Sequence, residues 1–348
     1  MAPHAWQNVY PPNQSYMEKI VVWCMLVMLV SCQKEEYFGP IGSENSNIIE
    51  TQTKELLYIG CEGNFQYSNA SLSVLDLAED SVENDVFSRA NDYELGDVLQ
   101  SILHVGDSLF LVVNNSGVIR IVNDSTFKEI DVIDGFNSPR HMVMLDKSLA
   151  VVSDFGGKHL TLLDIASAEI VRSVPSSDWT ERMLVNAGAL YVASMRDSAL
   201  LMYEPTNLSL VSSIALDVEP AYLFSINETI YVIGNDRAGG ARLISITSTL
   251  QKEEVERFDS RISGAALYAS SCYVLFNSRV SQLNIEDGSS RSFSHEAKTP
   301  YSIFVDEKGV YISDVDDYLS RGKVLKYDHD FGLINTYQVG LIPQAFSR

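Results

Sequence analysis

A stretch of about forty residues recurs along this chain, and that repeat restricts the fold more than any other feature. Residues 138–174, "SPRHMVMLDKSLAVVSDFGGKHLTLLDIASAEIVRSV", align with 180–214, with 219–258 and with 299–337, "TPYSIFVDEKGVYISDVDDYLSRGKVLKYDHDFGLINTY". Weaker copies start near Gly96 and Ser263. With Asp97, Pro139, Glu181, Pro220, Gly264, Pro300 and Pro343 as equivalent positions, the steps are 42, 42, 39, 44, 36 and 43 residues. Each copy holds short β-rich runs between turn residues; in the copy starting at Ser138 they are 141–145, 149–153, 160–164 and 170–174. Four strands per unit of this length is a propeller blade. The chain shows no helical periodicity.

The apolar pattern agrees with stacked blades. Second-strand runs such as Leu109, Phe110, Leu111, Val112 and Val113 are apolar on both faces, as a sheet sandwiched between two others must be. Fourth-strand runs such as 127–132, "FKEIDV", alternate, as an outer edge facing water should. The chain ends on "IPQAFSR", which supplies only a first strand, while 55–77 supplies later strands of a blade with no clear first one. Joining the two completes a seventh blade and closes the ring. The fold class is therefore all-β, a seven-bladed propeller of four-stranded antiparallel blades; six or eight blades are the alternatives.

Ahead of the repeats, residues 20–30 are continuously apolar, preceded by Glu18 and Lys19 and ended by Ser31 and Cys32. That run is too short to span a bilayer as a helix and has the layout of a secretory signal. Leu29, Val30, Ser31 and Cys32 resemble a bacterial lipobox, in which a small residue precedes the cut and the thiol accepts the lipid. Residues 33–36, "QKEE", resemble the export signal that follows the lipidated cysteine in surface lipoproteins of Bacteroidota. Residues 1–16 fit no signal architecture, so Met17 reads as the start, with 17–31 as signal peptide, 32–53 as flexible tether and 54–348 as propeller. Cys61 and Cys272 fall in strand-like runs and read as buried free thiols, a long-range disulfide being the alternative. A formal net charge of −21 opposes binding to nucleic acid.

Six segments carry a family resemblance: 63–77, 89–102, 112–119, 138–142, 313–327 and "VGLIPQAF" at 339–346. They are similar to the YncE-like seven-bladed propeller lipoproteins of Bacteroidota, of which the BtuG-like cobalamin-capture proteins are the best understood branch. The resemblance implies an outer-membrane, cell-surface protein, anchored through lipid on Cys32, that passes a small molecule to a TonB-dependent outer-membrane transporter. A corrinoid such as cobalamin is the ligand it suggests.

In a propeller, the loops joining second to third strands and those joining one blade to the next share a face around the central channel. Here those loops offer Phe65, Tyr67, Asn114, Asn115, Phe155, Arg196, Asp236, Arg237, Asp317 and Tyr318, together with Tyr93, Arg140, Trp179, Arg182, Tyr222 and Tyr301. Flat rings with amide, carboxylate and guanidinium groups suit a large planar ligand with amide arms. Asn and Asp also stabilise tight turns without any ligand, and about half of these residues are expected to do only that. Asp314, Asp316 and Asp317 could instead hold Ca²⁺, though the loop lacks an EF-hand pattern. The six histidines form no pair at metal-ligand spacing, and no GxSxG marks a nucleophile. No cofactor and no metal are expected. The leading expectation is a non-enzymatic binder; a protein-interaction scaffold and a metal-assisted, lactonase-like hydrolase are the alternatives.

Overall fold

A computed structural model describes residues 55–348. The segments expected as an extension (1–16), a signal (17–31) and a tether (32–53), with Cys32, all lie outside the described residues. Seven sheets of four antiparallel strands are present. Six are continuous in sequence, at 99–133, 139–175, 180–215, 219–258, 264–294 and 300–338, and are numbered here as blades 1 to 6. Blade 7 joins Pro343–Ser347 to the strands Leu56–Cys61, Ser71–Asp76 and Ser81–Glu83. The strands foreseen at 141–145, 149–153, 160–164 and 170–174 are Pro139–Met144, Leu149–Asp154, His159–Asp164 and Glu169–Pro175. One helix stands among the described residues, Val86–Asn91, too short for a period to show in sequence; it is pinned by buried Val86 and Phe87.

No blade carries a core of its own. The apolar side chains form seven clusters, and each lies between two neighbouring blades. The second strand of blade 1 shows how. Leu109, Leu111 and Val113 pack toward blade 7 with Tyr58 and Leu72, while Phe110 and Val112 pack toward blade 2 with Ala150 and Val152. Alternation along one strand thus feeds two cores, which is why these runs read as wholly apolar. Cys61 and Cys272 are buried and free, and burial pushes both thiols up to about 12.

Outer strands end the ladders in a repeated way. Ile130, Val171, Val211, Val255 and Ile334 are each the extra residue of a bulge on the fourth strand of blades 1, 2, 3, 4 and 6. All five are solvent-exposed. A bulge breaks the regular spacing of free N–H and C=O groups, so these edges make poor templates for another strand.

Closure rests on Pro343–Ser347 pairing with Leu56–Cys61, with Tyr58 opposite Ser347, Ile59 opposite Phe346 and Gly60 opposite Ala345. Glu62 N–H donates to Ile342 O (2.9 Å) and Gly63 N–H to Leu341 O (3.0 Å), extending the seam. Phe346 stacks on Phe304 of blade 6 at 5.9 Å, and Arg348 pairs with Asp306 at 2.6 Å. Gly60 is needed where the seam meets blade 1. A Cβ there would sit 3.0 Å from Leu99 Cδ2, 3.1 Å from Ala345 Cβ and 3.2 Å from Ile102 Cδ1. Replacing Gly60 by Val should therefore cost about 1–3 kcal/mol through overpacking, measured as a lower midpoint in urea unfolding. Deleting residues 343–348 should do more, abolishing a single cooperative thermal transition; an unchanged melt would mean that the ring does not depend on this seam.

Candidate ligand site at the channel mouth

The interblade loops and the second-to-third-strand loops are tied together by carboxylates and amides. Asp154 accepts backbone N–H groups from Asn137 (2.8 Å), Ser138 (2.9 Å) and Gly157 (2.7 Å). Asp314 accepts those of Lys298 (3.0 Å), Thr299 (2.8 Å) and Asp316 (3.1 Å), and Asn235 accepts that of Ile262 (2.9 Å). The two classes of loop are thereby locked on one face, as the sequence predicts.

The innermost strands carry the polar groups of the mouth, and bulges put them there. Against single residues of their neighbouring strands stand Arg140 and His141 in blade 2, Glu181 and Arg182 in blade 3, and Tyr301 and Ser302 in blade 6. Gln100, Ala221 and Gln344 are the extra residues in blades 1, 4 and 7. A bulge re-aims side chains that a regular ladder would send into the interblade cores. Six of the seven inner strands use this device, always near the end where the interblade loop enters.

The re-aimed groups form a chain of hydrogen bonds across the mouth. Arg140 Nε lies 3.0 Å from both carboxylate oxygens of Glu181, and its NH1 donates to Gln100 Oε1 at 2.5 Å. Trp179 Nε1 donates to Glu181 Oε1 at 2.5 Å. The Gln344 amide, oriented by its surroundings, donates to Glu62 Oε1 (2.7 Å) and to Gln100 O (3.1 Å) while accepting from Gln100 Nε2 (3.1 Å). Tyr301 OH approaches the Glu62 carboxylate at 3.4 Å. Burial pushes the Glu62 carboxyl up to about 7, against the opposing pull of Arg140 and of the Tyr301 hydroxyl. Burial, and then the Glu62 charge, raises the Tyr301 phenol as well. His141 is held well below its ordinary range, first by burial and then by the charges of Arg182 and Arg140.

Around this network stand exposed rings. Phe155 and Trp179 meet edge to face at 5.2 Å, and Tyr301 and Tyr318 at 6.3 Å. Phe65 and Tyr67 are 60% and 75% exposed, and Leu319 is 81% exposed, so apolar groups face water here rather than a core. Asn64 Nδ2 donates to Tyr318 O at 2.9 Å, linking the loops of blades 7 and 6.

Arg140, Arg182, Tyr222 and Tyr301, foreseen as loop residues, lie on inner strands and line or border the channel. Phe65, Tyr67, Phe155, Trp179 and Tyr318 stand on the face as expected. The others serve the scaffold. Asn114 is buried and donates to Ser138 Oγ and Pro139 O, each at 2.9 Å. Asn115 donates to Asp97 Oδ2 (2.6 Å), and the buried Asp236 accepts N–H groups from Ala238 and Gly240. Asp317 caps Leu319 and Ser320, whose N–H groups lower its carboxyl, and Asp316 is paired with Lys298. These acceptors are spent on turn geometry. Tyr93 is an outlying residue: its OH donates to Glu129 on an outer strand (2.7 Å) and its ring packs on Phe87. Arg196 pairs with Asp178 at the surface, and Arg237 lines a separate cleft of about 470 Å³ between blades 3 and 4.

Gln100, Glu181, Gln344 and Glu62 were not foreseen. The signal for three of them lies in the repeat itself. With Leu99 and Thr180, rather than Asp97 and Glu181, set opposite Pro139, one column reads Gln100, Arg140, Glu181, Ala221, Ala265, Tyr301 and Gln344, polar at five places in an otherwise apolar strand. Glu62, between Cys61 and Gly63, carries no comparable mark.

No protein-family model matches this chain, and no curated protein matches it in sequence. Its likeness is to solved structures. A quinonprotein alcohol dehydrogenase-like protein from Bacteroides thetaiotaomicron superposes with a TM-score of 0.64 at 13% identity, over 84% of this chain and 77% of that one. A protein from Lactobacillus plantarum superposes at 0.63 and 13% identity, over 85% and 100%. Apo AztD from Citrobacter koseri does so at 0.62 and 12% identity, over 84% and 96%. This chain shares their propeller fold.

The mouth network yields a pH test. Folded Glu62 titrates near 7 and the unfolded side chain near 4.5, so between these values the folded state binds the extra proton. Stability then falls as pH rises through that window and stays lower above it. Glu62→Gln should raise the melting temperature at pH 8, and the gain should shrink as pH falls toward 4.5. A gain larger at low pH than at high pH would reverse the assignment.

Proposed function

We propose that this protein is a non-enzymatic, surface-anchored binder that captures a small molecule at the channel mouth and presents it to an outer-membrane transporter of the TonB-dependent class. The observation that carries this reading is the convergence of Arg140, Glu181, Gln100, Gln344, Glu62 and Tyr301 on one opening flanked by exposed rings. Such a mouth covers an apolar face and hydrogen-bonds a polar rim, which fits a corrinoid. The resemblance to YncE-like lipoproteins and their BtuG-like branch supports the same ligand class. The lipobox at Leu29–Val30–Ser31–Cys32 and the acidic stretch after it support anchoring through Cys32 at the cell surface. Phe65, Tyr67 and Leu319, the most exposed apolar side chains of this face, are the surface offered to a partner chain. The hydrolase alternative has less behind it: Asp314 and Asp317 accept backbone N–H groups of their own loops, and Asp316 pairs with Lys298.

Titration calorimetry of the purified protein with cobalamin and other corrinoids tests the ligand. Binding should quench Trp179 fluorescence, and Trp179→Ala should weaken it at least tenfold, about 1.4 kcal/mol or more. Absence of binding with every corrinoid would remove that ligand class. Cys32→Ala should abolish incorporation of labelled fatty acid and release the protein from the membrane fraction.

A further inference from the structure

Below the mouth lies a cavity of about 290 Å³, lined by the inner strands around the ring. We propose that it binds the carboxylate of a small organic acid with a compact apolar body, and that Arg182 recognises the charge. The proposal rests on reading the mouth as a ligand site and gives that site a second, deeper compartment.

The lining contains no aspartate, glutamate or lysine; Arg182 is its one cationic side chain beside His141, which burial and the two neighbouring arginines hold in the neutral form. Among the described residues, Arg182 makes no hydrogen bond and no ion pair. Its guanidinium instead lies 4.4 Å over the ring of Tyr222, whose hydroxyl donates to Ser263 O at 3.4 Å. Arg140, one blade away, is bound to the carboxylate of Glu181. In a chain of net charge −21, a half-buried arginine held by a ring face rather than a carboxylate keeps its whole donor fork available. The ring also fixes that fork in place before a ligand arrives, reducing the ordering cost of binding.

Two acids of the mouth have other partners. Glu181 is engaged by Arg140 and Trp179, and half-buried Glu62 shares the Gln344 amide and the Tyr301 hydroxyl. The Ser302 hydroxyl, also in the lining, forms no hydrogen bond among the described residues and adds a second donor. Past these polar groups the same strands continue as Phe224, Leu267, Phe304 and Phe346, so the compartment runs from a charged entrance to an apolar interior. Its volume lies at the low end for ligand pockets, which excludes a whole macrocycle and fits either a small free acid or one acidic arm of a larger ligand.

Benzoate is the probe, with benzamide as the uncharged isostere and inorganic phosphate as the anion without an apolar body. Calorimetry on the purified protein should show benzoate binding, with benzamide at least tenfold weaker and phosphate weaker still. Arg182→Gln should weaken benzoate at least tenfold, whereas Arg257→Gln on an outer strand should leave it unchanged. Should Arg182→Gln fail to fold, Ala266→Phe, which fills the compartment and leaves Arg182 in place, should block benzoate. Equal affinity for acid and amide, preference for phosphate over benzoate, or undiminished benzoate binding by Arg182→Gln would each overturn the proposal. Corrinoid binding sensitive to Trp179→Ala but with no benzoate binding would remove this compartment alone. Benzoate binding that depends on Arg182 without corrinoid binding would remove only the corrinoid.

Discussion

Every apolar core among the described residues belongs to a pair of neighbouring blades, so the ring has seven shared cores and no blade has one to itself. A blade therefore buries both faces only when the ring is complete. The seam between Pro343–Ser347 and Leu56–Cys61 supplies that completion, and it brings Leu57 and Ile59 against Tyr311 and Val324 of blade 6. Sheet pairing and side-chain burial thus reinforce one another at the one place where the chain's sequence order is broken. Closure turns the inner edge of every sheet toward the channel and the outer edge toward the rim, and five of the outer edges are interrupted by an exposed β-branched residue on a bulge.

The same fold-level requirement creates the site. Inner strands crowd around an axis, and a strictly alternating strand would send its side chains into the interblade cores on either side. Doubling a residue against one partner frees a side chain for the axis, and the chain uses Gln100, Arg140, Glu181, Tyr301 and Gln344 in that way. Buried polar groups are costly unless paired. Here they satisfy one another across blades, so the polar groups of the mouth are paired within the protein. Arg182 departs from that economy: its charge rests on a ring face and its donors remain open to the cavity.

Loops and inner strands differ in how openly their roles show in sequence. Asn114, Asn115, Asp236 and Asp317 have the residue types of a polar binding surface, yet their oxygens and amides tie loop backbones together. An asparagine that caps a turn and one that greets a ligand are the same letter. The rings at Phe65, Tyr67, Phe155, Trp179 and Tyr318 could be placed on the right face because large apolar residues in short polar loops have few cores to enter. Glu62 stayed hidden because its environment is built by Tyr301 and Gln344, more than two hundred residues away in sequence.

Sequence alone determined the blade count, the four-strand unit, the doubly apolar second strands and the joining of the two chain segments into one sheet. All of these follow from periodicity and from the need to cover apolar surface, both of which are local or repetitive properties. Tertiary structure decided which polar residues meet, because a bulge shifts register by one residue and redirects a side chain without changing composition or period. It also decided which charge is left unmatched in the channel, since that depends on distances between strands from different blades, a quantity that no stretch of sequence contains.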